Sequence, residues 1–239
     1  SRLAKIELSD EGRQMIEQLD EELKTEEFND VQMAKAKWTQ LEALIGSEAR
    51  IKNIAKDIIA HFEQRQEVFE GKGMIVAMSR RIAVELYDAI VALRPQWHNE
   101  DLTKGAIKVV MTSASSDGPE ISKHHTSKEQ RRALADRMKD TDDELKLVIV
   151  RDMWLTGFDV KSLSCLYLDK PMKAHTLMQT IARANRVAEG KSNGLIVDYV
   201  GIIKALRQAL AEYTNTNGGD GTDPTIDKDE LIKRVVKVI

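Results

Sequence analysis

Cysteine is almost absent from this sequence: Cys165 is the only one in 239 residues. A disulfide framework and a thiolate metal site are thereby excluded, and nothing argues for secretion. Cys165 sits in an apolar run and reads as a small buried residue. Long apolar runs are missing too. No stretch approaches the length of a membrane span and the start is not signal-like, so a cytoplasmic protein without membrane contact is expected. Neither sign of charge prevails, since 36 Lys and Arg against 39 Asp and Glu leave a net charge of -3. That balance excludes a uniformly basic coat and confines any nucleic-acid contact to local clusters.

Three kinds of chemistry are also missing. "GKS" at Gly190–Ser192 resembles the end of a P-loop, but Asn185 stands where the leading glycine belongs, and the order of strand and helix is reversed. Glu144 and Lys146 have the acidic-x-Lys spacing of some nucleases without a convincing second carboxylate, and are expected to open a strand. His124 and His125 are adjacent, so they diverge on any regular backbone, and no metal site is expected.

What is present is an ordinary globular composition, 42% hydrophobic and 31% charged, long enough for one large domain or a core domain with helical additions. Residues 1–46 form an acidic lead-in, expected to be partly ordered. A connecting helix over 47–70 follows, capped by Ser47, with Ile51, Ile54, Ala55, Ile58, Ile59 and Phe62 in one apolar stripe. From Gly71 the pattern changes. "MIVAM", "AIKVVM", "LKLVIV", "LSCLYL" and "GLIVDYV" read as strands apolar on both faces, and amphipathic helices alternate with them. A helix begins at Ser79, and another opens with a capping box at Ser127 and Gln130. This predicts an α/β domain over 71–200, a parallel sheet with helices on both faces. Residues 201–239 read as a helix, a linker and the start of a further helical region. A start at Ser1 and an unpartnered apolar stripe at the end suggest an excerpt of a longer protein.

Ligands of open parallel sheets gather at the carboxyl ends of the strands. After the first of these strands come Ser79, Arg80 and Arg81 in the first turn of a helix, where the macrodipole disfavours exposed cations by about 0.3–1 kcal/mol each. An anionic partner would relieve that mismatch. After the second come Thr112 and Ser113, whose hydroxyls suit phosphate contacts as well as a plain turn. After the third, "RDMWLTGFDV" turns at Gly157 and continues to Asp159, with Trp154, Leu155 and Phe158 expected to pack the loop down. In "LMQTIARANR", Leu177, Ile181 and Ala184 share one helix face, while Gln179, Arg183 and Arg186 share the nearly opposite one. Arginines presented in this way stabilise charge on a transferring phosphoryl group only when another domain supplies the phosphate cradle.

Taken in order, "GMIVAMSRR", "VVMTSASSDGPE", "IVRDMWLTGFDV" and "LMQTIARANR" resemble motifs IV, IVa, V and VI of superfamily 2 helicases on a RecA-like second lobe. The wider wording, with "YLDKPM", "GLIVDY" and "KWTQLEALIGSEARI", is similar to the motor/restriction (R) subunit of type I restriction–modification enzymes, over roughly Lys37 to Tyr213. The resemblance implies an ATP-dependent translocase of double-stranded DNA that drives cleavage. It implies Arg183 and Arg186 as arginine fingers and Gln179 in the same cleft. Gly157 and Asp159 would couple nucleotide to DNA, and Ser79, Arg80, Thr112 and Ser113 would touch the DNA backbone. ATP and Mg²⁺ would be held mainly by a first RecA-like lobe; a nuclease domain and modification and specificity subunits would be the other partners. The segment alone is expected to be inactive. A helicase lobe with another DNA-processing role and a DNA-binding scaffold without ATP coupling are the alternatives.

Overall fold

The computed structural model describes residues 2–3, 14, 30–68, 70–155, 157–172, 176–177, 179–180 and 194–202. Among them the elements run β1 (Arg2–Leu3), α1 (Asp30–Ile45), α2 (Glu48–Val68), β2 (Lys72–Ala77), α3 (Arg80–Leu93), β3 (Ile107–Val110), α4 (Pro119–Ser122), α5 (Lys128–Lys139), β4 (Leu147–Val150), β5 (Leu163–Asp169) and β6 (Leu195–Asp198). The strands form one six-stranded sheet in the order β1-β6-β5-β2-β4-β3, and every pair is parallel. This is the parallel architecture expected of a RecA-like lobe. β2 through β5 are buried along their whole length, as the continuous apolar runs require.

Side chains alternate across a strand, and β2 shows what covers each face. On one face a Cβ at Gly73 would lie 2.6 Å from Leu147 Cδ2 and 3.1 Å from Phe62 Cε2 of α2, so a larger residue there would make Leu147 move and Phe62 give way. On the other face Lys72 reaches the end of α5, where its ammonium donates to the carbonyls of Arg137, Asp143 and Leu145 at 3.3, 2.9 and 2.6 Å. Helices therefore lie on both faces. The local signals behave as expected: Ser79 caps α3 by accepting from the Ile82 amide, and Ser127 and Gln130 form the capping box of α5. The apolar stripe of α2 is buried throughout.

The N-terminal segments contribute more than their composition indicates. Leu41 and Ile45 of α1 are fully buried in the same core as the sheet, as is the stripe of α2. β1 adds a sixth strand by pairing Arg2 with Val197 and Leu3 with Asp198. Two residues joined through their backbones need no hydropathy pattern, which is why nothing in the composition marks them. The segment beyond Ile202 expected to form a helix and linker lies outside the described residues.

Burial pushes the Lys72 ammonium down to about 8, against an ordinary 10.5. Between those values the unfolded chain holds a proton that folded Lys72 has released, so this residue makes stability rise with pH across that window. Lys72→Met strands three carbonyls, at a cost of roughly 1–3 kcal/mol per unpaired buried acceptor. Urea midpoints of the two proteins should differ at neutral pH, and the gap should widen as pH rises above 8. Parallel pH profiles would show that Lys72 does not titrate in this way.

Candidate functional site at the carboxyl edge of the sheet

Because the strands are parallel, the residues after β2, β3, β4 and β5 all leave the same edge. Side chains tie these exits together. Arg80, the first residue of α3, donates through Nη2 to the carbonyl of Thr112 beyond β3. Arg151 Nε, beyond β4, approaches the Met78 carbonyl beyond β2 at 3.5 Å. Lys170, just beyond β5, donates to the Arg151 carbonyl at 3.2 Å and to the Asp152 carboxylate. Lys170 is buried, and desolvation lowers its ammonium although Asp152 opposes the shift.

The anion that relieves the arginines at the start of α3 is internal. Arg80 clamps Asp117, with Nε 3.0 Å from Oδ1 and Nη2 on Oδ2. Asp117 also accepts from the Ala114 amide at 3.2 Å and lies 2.7 Å from His125 Nε2. The guanidinium, His125 and that amide hold its carboxyl below the usual range. Arg81 pairs with Glu85 one turn along at 2.8 Å and with Glu42 of α1 at 3.8 Å. Ser79 spends its hydroxyl on the helix cap, whereas Thr112 and Ser113 are exposed.

The loop over 151–160 is shaped by its aromatics. Trp154 stacks on Phe158 with centroids 4.2 Å apart, and Leu155 and Phe158 are buried. Trp154 takes a left-handed backbone, φ 67°, a placement that costs a non-glycine residue of order 1–3 kcal/mol unless its surroundings fix it. Gly157 has φ 73° with nothing among the described residues within 4 Å of the position a Cβ would take, and Asp159 is exposed beside it. In the segment whose spacing predicts an arginine-bearing helix, Thr176, Leu177, Gln179 and Thr180 are helical, Leu177 fully buried and Gln179 exposed. The inward and outward faces thus divide as the spacing predicts at these two positions. Arg183 and Arg186 lie outside the described residues.

Beneath this edge sits a buried ion pair that the sequence reading missed. Arg50 of α2 donates to Asp169 at the end of β5 at 2.7 Å, and to the carbonyls of Ile45 and Tyr199 at 3.0 Å each. Asp169 is 1% exposed, and its second oxygen has no hydrogen-bond partner among the described residues. Burial therefore raises its carboxyl even against the pull of Arg50. The same helix sends Asp57 to the Tyr199 hydroxyl at 2.7 Å and His61 to the Tyr167 hydroxyl at 2.8 Å. A charged residue ending an apolar run, as Asp169 does, and an arginine inside an apolar helix stripe, as Arg50 is, were the signals available. Cys165 is buried as expected.

A family model for domain 3 of the type I restriction enzyme R subunit matches residues 94–201. The HindI endonuclease subunit, a type I restriction enzyme protein of Haemophilus influenzae, is 53% identical over 180 residues, covering 74% of this chain. This chain belongs to the type I restriction enzyme R-subunit family. A putative type I enzyme of Methanocaldococcus jannaschii, the MjaIXP endonuclease subunit, is 41% identical over 206 residues, 85% of the chain. The R-subunit segment spans 17% and 19% of these two relatives. A fragment structure of a putative HsdR subunit of a type I restriction enzyme from Vibrio vulnificus YJ016 aligns with 64% of the chain and 27% of its own, at 20% identity and a TM-score of 0.46. No helix among the described residues is long and apolar enough to cross a membrane.

Arg50→Ala leaves the Asp169 carboxyl buried without its cation, which typically costs about 3–5 kcal/mol. Arg50→Met combined with Asp169→Leu removes both charges and should recover part of that loss in urea unfolding. A double variant no more stable than Arg50→Ala would assign the cost to the stranded Ile45 and Tyr199 carbonyls instead.

Proposed function

We propose that this R-subunit segment is the second motor lobe of an ATP-dependent translocase of double-stranded DNA that drives restriction cleavage. The observation that carries the reading is the common exit of three separately predicted segments. Ser79–Arg80, Thr112–Ser113 and the Gly157 loop all leave one edge of the parallel sheet, and polar contacts bridge their elements. Backbone contacts of this kind suit a translocase, because phosphates carry no sequence information.

In this reading ATP is held mainly by a first RecA-like lobe, and when bound it supplies the phosphoryl group whose transfer to water drives the motor. The turn at Gly157 and the exposed Asp159 fit a surface that closes over nucleotide. Arg183 and Arg186 would offer their cations, and Gln179 its amide, to the phosphates and stabilise the charge that develops there. Mg²⁺ would be held with the ATP, mainly by the first lobe. Lys170 ties the end of β5 to the start of the glycine loop. Movement at the nucleotide side is thereby passed to the edge that bears Arg80 and Thr112. A nuclease domain, modification and specificity subunits and a cytoplasmic location complete the proposal, and the isolated segment is inactive.

The test is DNA-stimulated ATP hydrolysis by the full-length subunit assembled with its partners. Arg183→Ala should lower turnover by roughly 10³-fold or more, with the variant still folded and still binding nucleotide. Unchanged turnover would remove the finger assignment and favour a DNA-binding scaffold without ATP coupling.

A further inference from the structure

The reading of the carboxyl edge as a DNA-backbone site raises a question that Arg80 poses most sharply. A guanidinium recognises a phosphate best through two parallel N–H donors, the geometry it also offers a carboxylate. In this structure the Nε and Nη2 edge of Arg80 is already filled by Asp117, whose side chain is 4% exposed. The pair has no net charge, so in this arrangement Arg80 contributes little to attracting DNA.

We infer that Asp117 is an internal competitor for the DNA phosphate at Arg80, and that its displacement sets how tightly this lobe grips the DNA backbone. The inference rests on the proposed function and adds a means of regulating that same site. Three features of the geometry support it. The guanidinium's Nη1 makes no hydrogen bond among the described residues, and Arg80 is 21% exposed, so an incoming phosphate has a donor to meet first. Asp117 does not depend on Arg80 alone, because the Ala114 amide and His125 also hold it. The loop over 112–118 therefore keeps its fold when the arginine leaves. Exchange also releases the Thr112 carbonyl, which ties the arginine to the exposed Thr112–Ser113 segment. A carboxylate and a phosphate use the same donors, so a small shift of this edge suffices to trade one for the other. A motor that must hold and release its track at every step needs such a trade.

The test measures how affinity of the full-length subunit for a short mixed-sequence duplex depends on salt. Each phosphate contact changes the slope of log K against log salt concentration by about 0.9. Asp117→Asn should tighten binding and steepen the slope by about 0.9, one added contact. Adding Arg80→Ala to that variant should remove the whole increment, whereas Arg80→Ala in the wild-type background should change the slope less. Melting curves establish that each variant is folded. Asp117→Ser, which keeps an acceptor for the Ala114 amide, repeats the cycle should the asparagine loosen the loop. Equal effects of Arg80→Ala in both backgrounds, or an unchanged slope in Asp117→Asn, would overturn the competition. A wild-type slope near zero would instead sink the DNA-backbone reading itself.

Discussion

The parallel pairing of β2 with β4 on one side and β5 on the other is the constraint from which the rest follows. Met74 lies beside both Val148 and Leu166, and Val76 beside both Val150 and Leu168. With this register, four consecutive strands of the chain end at one edge. A slip of one residue would turn every side chain of β2 to the opposite face. It would bring Lys72 under α2 and carry the cleft of Gly73 away from Phe62. The chain continues from β2 to the far strand β3, returns through β4, and then crosses β2 to reach β5. That reversal opens the crevice where ligands of such sheets collect.

Charge is used here to place elements rather than to stabilise them in bulk. A buried ion pair seldom repays its own desolvation, but breaking one is expensive, so it penalises misplacement strongly. Arg50 with Asp169 locks α2 over the end of β5. Lys72 locks the end of α5 over the start of β2, and Lys170 with Asp152 locks the glycine loop to β5. Each lock joins elements that apolar packing alone would leave free to slide. Apolar contacts are short-ranged and non-directional, whereas three carbonyls around one ammonium accept only one position.

The legibility of each feature follows the range of the force behind it. Ser79 and the Ser127–Gln130 box were readable because a cap is satisfied within four residues. The strands were readable because burial on both faces demands an unbroken apolar run. At the site, the outward position of Gln179, the buried Leu177 and the aromatic packing of the glycine loop were all visible in spacing and residue type. The partner of Arg80 was not. Asp117-Gly118-Pro119 reads locally as a turn, and nothing in thirty-odd intervening residues says that its carboxylate meets the start of α3.

The sequence by itself determined the kinds of element, their order and the edge at which the polar residues emerge. Periodicity, capping and turn chemistry act between neighbours and are written in neighbouring letters. Only the tertiary structure decided that α1 and β1 belong to the same core and sheet. It alone paired Arg50 with an aspartate 119 residues away, and filled the bidentate edge of Arg80 with Asp117. Those choices depend on where the parallel sheet brings distant backbones together, a distance that no window along the chain contains.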